Sequence, residues 1–123
     1  MSAARLHHLA LRVADVARAA AFYEEVLGLR VHSAHREQDG ALRSVWLLLG
    51  EGALLMLERS LRGVGPDAGS AHVLVLAVSD LAGWERRLFD LRVPIVDRTL
   101  FTLFFRDPDG HRVGVSTFPV AAP

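Results

Sequence analysis

One stretch of this chain is written twice. The run His7-His8-Leu9-Ala10-Leu11-Arg12-Val13-Ala14-Asp15-Val16 returns in the second half as His72-Val73-Leu74-Val75-Leu76-Ala77-Val78-Ser79-Asp80-Leu81. Each copy reads as a short strand running into a helix cap. A duplicated unit of this length cannot close its own hydrophobic face, so two copies have to pack together and leave a shared seam or cleft. That cleft is where a ligand or a reaction is to be sought.

The residues between the copies fill in the rest of the unit. Alternating apolar residues over 7–13 give a strand with one face on a core. Asp15 caps the helix that follows, in which Val16, Ala19, Ala20, Tyr23, Val26 and Leu27 recur at helical spacing and Gly28 supplies the left-handed end. Three short strands follow over 29–35, 42–49 and 53–58, with turns at Asp39-Gly40 and Gly50-Glu51-Gly52. The aperiodic, glycine-bearing stretch 60–70 reads as a linker. In the second copy Ser79 or Asp80 caps a helix striped by Leu81, Trp84, Leu88 and Leu91, and Pro94 blocks its continuation. Strands near 95–98, 100–106 and 111–117 complete it, the last two joined by Asp107-Pro108-Asp109-Gly110, which has the residues of a type I turn. The expectation is an α+β fold in which two βαβββ modules, 5–59 and 71–118, form a curled mixed sheet around a cleft within a single domain over 1–123. Strand parity puts Leu9, Leu11, Tyr23 and Leu27 in the core with Leu74, Leu76, Trp84 and Leu88.

Composition excludes several classes of function. The chain is 51% apolar with a formal net charge of +0, and acidic residues interrupt its arginines throughout, so no stripe tracks nucleic-acid phosphates. No apolar run approaches the roughly 20 residues that span a bilayer. The first residues carry no hydrophobic signal core, which makes a cytoplasmic location the expectation. Cysteine is absent, which removes thiol nucleophiles, disulfides and thiolate metal sites. Lysine is absent too, all 14 basic residues being arginine, so Schiff-base catalysis by a side-chain amine is excluded. An arginine-only set suits bidentate recognition of carboxylate or phosphate, and a genome favouring arginine codons accounts for it equally well.

The run His8-Leu9-Ala10-Leu11-Arg12-Val13, then Asp15-Val16, Phe22-Tyr23 and Leu27-Gly28, together with Arg106-Asp107-Pro108-Asp109-Gly110-His111, resembles the vicinal oxygen chelate superfamily. That superfamily includes glyoxalase I, the extradiol dioxygenases, and the fosfomycin- and bleomycin-resistance proteins. The resemblance implies two βαβββ modules curled around a cleft, commonly in a homodimer. Its enzymes generally hold a divalent metal with His and Glu side chains that point from the sheets into the cleft. Such an ion chelates two neighbouring substrate oxygens and stabilises an enediolate or peroxo intermediate.

The implied ligand positions differ in what this chain places there. His8 matches the first, and alternation puts it with Ala10 and Arg12 on the cleft side. Anchoring the repeat on Val13 and Val78 makes Val73 the counterpart of His8, and leaves His72 on the helix side unless a bulge re-aims it. The first carboxylate position falls on Met56, with Glu58 two residues on along the same face. The second, four residues after the turn glycine, falls on Gly114. A three-ligand metal site is not supplied by these residues, and Met56, Val73 and Gly114 would instead enlarge the cleft and make it apolar.

The leading expectation is therefore a metal-independent small-molecule-binding protein, a homodimer with no cofactor. Its small organic ligand sits in an apolar cleft lined by His8, Arg12, Met56, Val73, Phe104, Arg106, Arg112 and Gly114. Strand parity alone selects the last three, and Arg12 is the candidate anion anchor. The competing expectation is a glyoxalase-like lyase or extradiol-type dioxygenase with one divalent metal ion on His8, His72 and Glu58. A third is a structural or regulatory dimer with a vestigial cleft. Trp46 and Trp84 read as core, and His32, His35 and His111 as surface or turn residues.

Overall fold

The computed structural model describes residues 6–50, 52–60 and 72–119, so the expected linker, Ser60 excepted, lies outside the described residues. The chain divides into two compact units, Met1–Asp67 and Ala68–Pro123. The first unit runs β1 (His8–Arg12), α1 (Val16–Glu25), β2 (Arg30–Arg36), β3 (Leu42–Leu48) and β4 (Leu54–Glu58). The second runs β5 (Val73–Ala77), α2 (Leu81–Asp90), β6 (Asp97–Arg98), β7 (Thr102–Arg106) and β8 (Arg112–Ser116). Both are βαβββ units, and the fold is α+β, as expected from the repeat.

The two sheets share one topology. Their strand orders are β1-β4-β3-β2 and β5-β8-β7-β6, and in each the first strand runs parallel to the last while the remaining pairs are antiparallel. A parallel pair needs a long crossover, which the helix of each unit supplies. Asp15 and Asp80 cap those helices by accepting the backbone N–H of Arg18 at 3.1 Å and of Gly83 at 3.0 Å, which satisfies donors that a helix start leaves open. Gly28 ends α1 with φ 71°, its N–H donating to Glu24 O at 3.0 Å. Arg92 holds the matching left-handed position after α2 with φ 59°, where a side chain costs about 1 kcal/mol that glycine avoids.

Each sheet has a helix-facing side and an open side, set by the period of two along its strands. Helix α1 packs on β3, β4 and β2, burying Tyr23, Val45, Leu47, Leu55 and Leu57. Helix α2 packs on β7 and β8, burying Leu88, Leu103, Phe105, Val113 and Val115. Leu9, Leu11, Leu74 and Leu76 lie on the helix side as expected but are only half-buried. The reason is that β1 and β5 stand at sheet edges, where the helices do not reach them. Trp84 is also only half-buried, covered by the Arg87 guanidinium 5.3 Å from its ring centroid.

The turn between β7 and β8 forms as its sequence dictates. Gly110 N–H donates to Asp107 O at 3.0 Å, and the Asp107 carboxylate, in a residue 5% exposed, accepts the backbone N–H groups of Asp109 and His111 at 2.9 and 2.8 Å. No helix among the described residues is long and apolar enough to cross a membrane.

Candidate functional site

Residues paired across neighbouring strands share a face, so the registers locate the strand side chains named for the cleft. On the first sheet His8, Ala10 and Arg12 pair with Leu54, Met56 and Glu58, all on the side away from α1. His8, Arg12 and Met56 are therefore brought to one face. On the second, Val73, Val75 and Ala77 pair with Arg112, Gly114 and Ser116, which pair in turn with Arg106, Phe104 and Thr102. Val73, Phe104, Arg106, Arg112 and Gly114 therefore also share one open face. Apolar surface is present on both, with Leu48 at 40%, Val73 at 43% and Val75 at 41% exposure.

The second open face is organised around Phe104. A Cβ built on Gly114 would stand 3.0 Å from Phe104 Cδ1 and 3.2 Å from Leu103 O, so the phenyl ring occupies the space that a side chain at 114 would need. Gly114 does not enlarge that face as the sequence suggested; the cross-strand aromatic covers it, a recurrent way of packing a strand glycine. The Arg112 guanidinium lies 4.4 Å from the Phe104 ring centroid and donates to Asp97 Oδ2 at 2.9 Å. That hydrogen bond, then the backbone N–H of Arg98, hold the Asp97 carboxyl below its ordinary 3.8. Arg106 Nη1 donates to Gly110 O at 2.9 Å, which ties this arginine to the turn.

Among the metal-ligand candidates, His8 and Glu58 share a face but not a place. His8 pairs with Leu54, four residues before Glu58, which separates the two by about 13 Å along the strands. Glu58 Oε1 accepts the Trp46 indole N–H at 3.3 Å, and His8 Nδ1 lies 3.0 Å from His7 Nδ1. His72 precedes β5, which keeps unbroken register with β8, so no bulge within that strand re-aims its neighbours. Among the described residues no group of three or more His, Asp or Glu side chains is arranged to hold a metal ion.

The first open face also gathers residues that the sequence reading placed outside the cleft. A register shift between Val31 and Ser33 pairs Ser33 with Trp46 and His35 with Ser44. Unbroken pairing from Val31 opposite Leu47 would have turned Ser33 and His35 toward the helix. His35 now lies 4.3 Å from the Trp46 ring, tilted by 44°, and His32 lies 6.4 Å away at 22°. Ser33 Oγ joins them, 2.9 Å from His32 Nδ1 and 3.1 Å from His35 Nε2. Trp46 is half-buried on this face, not in the helix-side core. Beside it Ser44, paired with both His35 and Glu58, is 1% exposed, and its hydroxyl has no hydrogen-bond partner. A buried hydroxyl left so costs on the order of 1–3 kcal/mol.

Comparison with known proteins follows the same outline. Residues 5–115 match the model of the Glyoxalase/Bleomycin resistance protein/Dioxygenase superfamily. The uncharacterized protein YwbC of Bacillus subtilis (strain 168) is 26% identical over 113 residues, spanning 89% of this chain and 86% of its own. The crystal structure of TnmS3, an antibiotic binding protein from Streptomyces sp. CB03234, superposes with a TM-score of 0.74 at 24% identity, covering 94% of this chain and 97% of that one. Lactoylglutathione lyase from Agrobacterium tumefaciens superposes with a TM-score of 0.69 at 22% identity, covering 94% and 95%.

Proposed function

The chain belongs to the Glyoxalase/Bleomycin resistance protein/Dioxygenase superfamily, and from that premise we propose that it is a metal-independent small-molecule-binding protein whose organic ligand rests on the open sheet faces. One observation carries the reading. The positions at which the resemblance implies metal ligands hold Met56, Val73 and Gly114, all on open faces. They present a soft thioether, an isopropyl group and no side chain at all. None is a donor for a hard or borderline divalent ion, and His8 alone cannot make the three-ligand set of a catalytic site. The same substitutions, with Val75 and Leu48, leave the apolar surface on which an organic molecule is held. Proteins of this fold include an antibiotic binding protein, so a ligand of that kind is one the fold accommodates.

A ligand that binds only the folded state raises thermal stability by mass action. Added Zn(II), Ni(II), Mn(II) or Fe(II) at tenfold excess is therefore expected to leave the melting temperature of the dialysed protein unchanged. A rise that disappears in His8→Ala, or a one-to-one metal content surviving dialysis, would reverse the reading in favour of a metalloenzyme.

We also propose that the protein is a homodimer, because β1, β2, β5 and β6 end their sheets and open-face apolar side chains stand exposed, a combination that a second chain closes. Light scattering across a concentration series is expected to give twice the chain mass of 13.5 kDa; a monomer at every concentration counts against it.

A further inference from the structure

The first open face has more order than holding an apolar molecule requires. A strand bulge re-aims the side chains that follow it, and the bulge at His32 is what sets Ser33 and His35 beside Trp46 and Ser44. The indole is fixed at its polar edge by Glu58. Its partner His35 stands at stacking distance but tilted by 44°, between the offset-parallel and edge-to-face arrangements that aromatic pairs prefer. Next to both, the Ser44 hydroxyl is closed off from solvent and has nothing to bond, which in a native sheet calls for a reason.

We propose that Trp46 is the docking platform for a planar aromatic ring carrying a hydrogen-bonding group at its edge, that His35 is a cap the incoming ring displaces, and that the Ser44 hydroxyl is the group its polar edge engages. This rests on the small-molecule reading above and narrows it to a ligand class. The imidazole already stands 4.3 Å from the indole, so a ring of the same thickness fits in its place once His35 turns to another rotamer, with no movement of the sheet. The turn opens the side of Ser44 that faces β2, where His35 is its cross-strand partner. A saturated ring of equal size fills the same volume but does not gain the stacking contact.

The test uses equilibrium dialysis of the full chain against three two-ring probes: 2-naphthol, naphthalene and the saturated alcohol trans-2-decalol. The aromatic alcohol is expected to bind about tenfold tighter than the saturated one. Trp46→Leu removes that preference, whereas Trp46→Phe, which keeps a ring, retains most of it and shows that the face is intact. Ser44→Ala reduces the preference for 2-naphthol over naphthalene by about fivefold, and His35→Ala tightens both aromatics. In nuclear magnetic resonance spectra, 2-naphthol shifts the indole N–H signal of Trp46 and leaves that of Trp84 in place. Equal affinity for 2-naphthol and trans-2-decalol, or binding unchanged in Trp46→Leu, overturns the aromatic platform while the small-molecule reading stands. Binding of none of the three probes overturns both.

Discussion

Phe105→Ala is expected to lower the free energy of unfolding by about 3–5 kcal/mol. The ring is 0% exposed and lies on the helix side of β7, opposite Val113 and beside the Leu103 and Val115 pair. Helix α2 packs on these two strands and contributes Leu88, also fully buried. Truncation removes the ring's transfer free energy and leaves a cavity that neighbours already in close contact do not fill. Small domains hold only about 5–15 kcal/mol in total, so the loss is a large fraction of what keeps the chain folded. Urea unfolding followed by circular dichroism measures it. The neighbouring Phe104→Ala, on the open face, serves as the comparison and is expected to lose less than half as much. Equal losses at 104 and 105 would show that the two faces are not distinguished as described.

Most of this architecture was legible because its strands obey their period without interruption. β1, β4, β5, β7 and β8 pair without a register shift. A side chain assigned to the open face by counting in twos, such as Met56 or Arg112, therefore lies on that face in three dimensions. The caps at Asp15 and Asp80 and the turn at Asp107 to Gly110 were readable for a local reason: each is made by hydrogen bonds within four residues.

The cluster around Trp46 was not legible, because it depends on a bulge that carries no sequence mark. The segment Arg30-Val31-His32-Ser33-Ala34-His35 contains no glycine, and a bulge whose extra residue is near the right-handed helical region needs none. In the sequence His35 has no paired spacing with the other histidines and reads as a surface or turn residue, and Trp46 reads as core, the commoner place for a tryptophan. One inserted residue in β2 brings His35 to the open face on which Trp46 already stands, opposite Met56. The half-burial of Leu9, Leu11, Leu74, Leu76 and Trp84 was hidden for a different reason. Period assigns a face, whereas burial depends on how far a helix extends across the sheet. The space over Gly114 was hidden too, since a glycine in a strand reads as room until the cross-strand neighbour is known.

Gly114→Glu is expected to destabilise the protein by about 1–3 kcal/mol, the range for overpacking a filled position. The new Cβ would meet Phe104 Cδ1 at 3.0 Å and Cε1 at 3.2 Å, with the Leu103 carbonyl oxygen at 3.2 Å on another side. The carbonyl belongs to the sheet and cannot withdraw, so the ring has to move. Moving it breaks the contact with the Arg112 guanidinium, which remains tied to Asp97 and does not follow. The ring is the nearest obstacle and the one able to move, so removing it should relieve most of the strain, while the contact with the Leu103 carbonyl remains. In Phe104→Ala, adding Gly114→Glu is expected to cost less than half as much, a non-additivity that the four chains of a double-mutant cycle resolve by urea unfolding. Additive losses would place the strain on the backbone instead of the ring. The same geometry bears on function, because position 114 is where the resemblance implies a metal-binding carboxylate. A single substitution there displaces Phe104 from its contact with Arg112, so presenting that carboxylate carries a cost in stability unless the ring is lost as well.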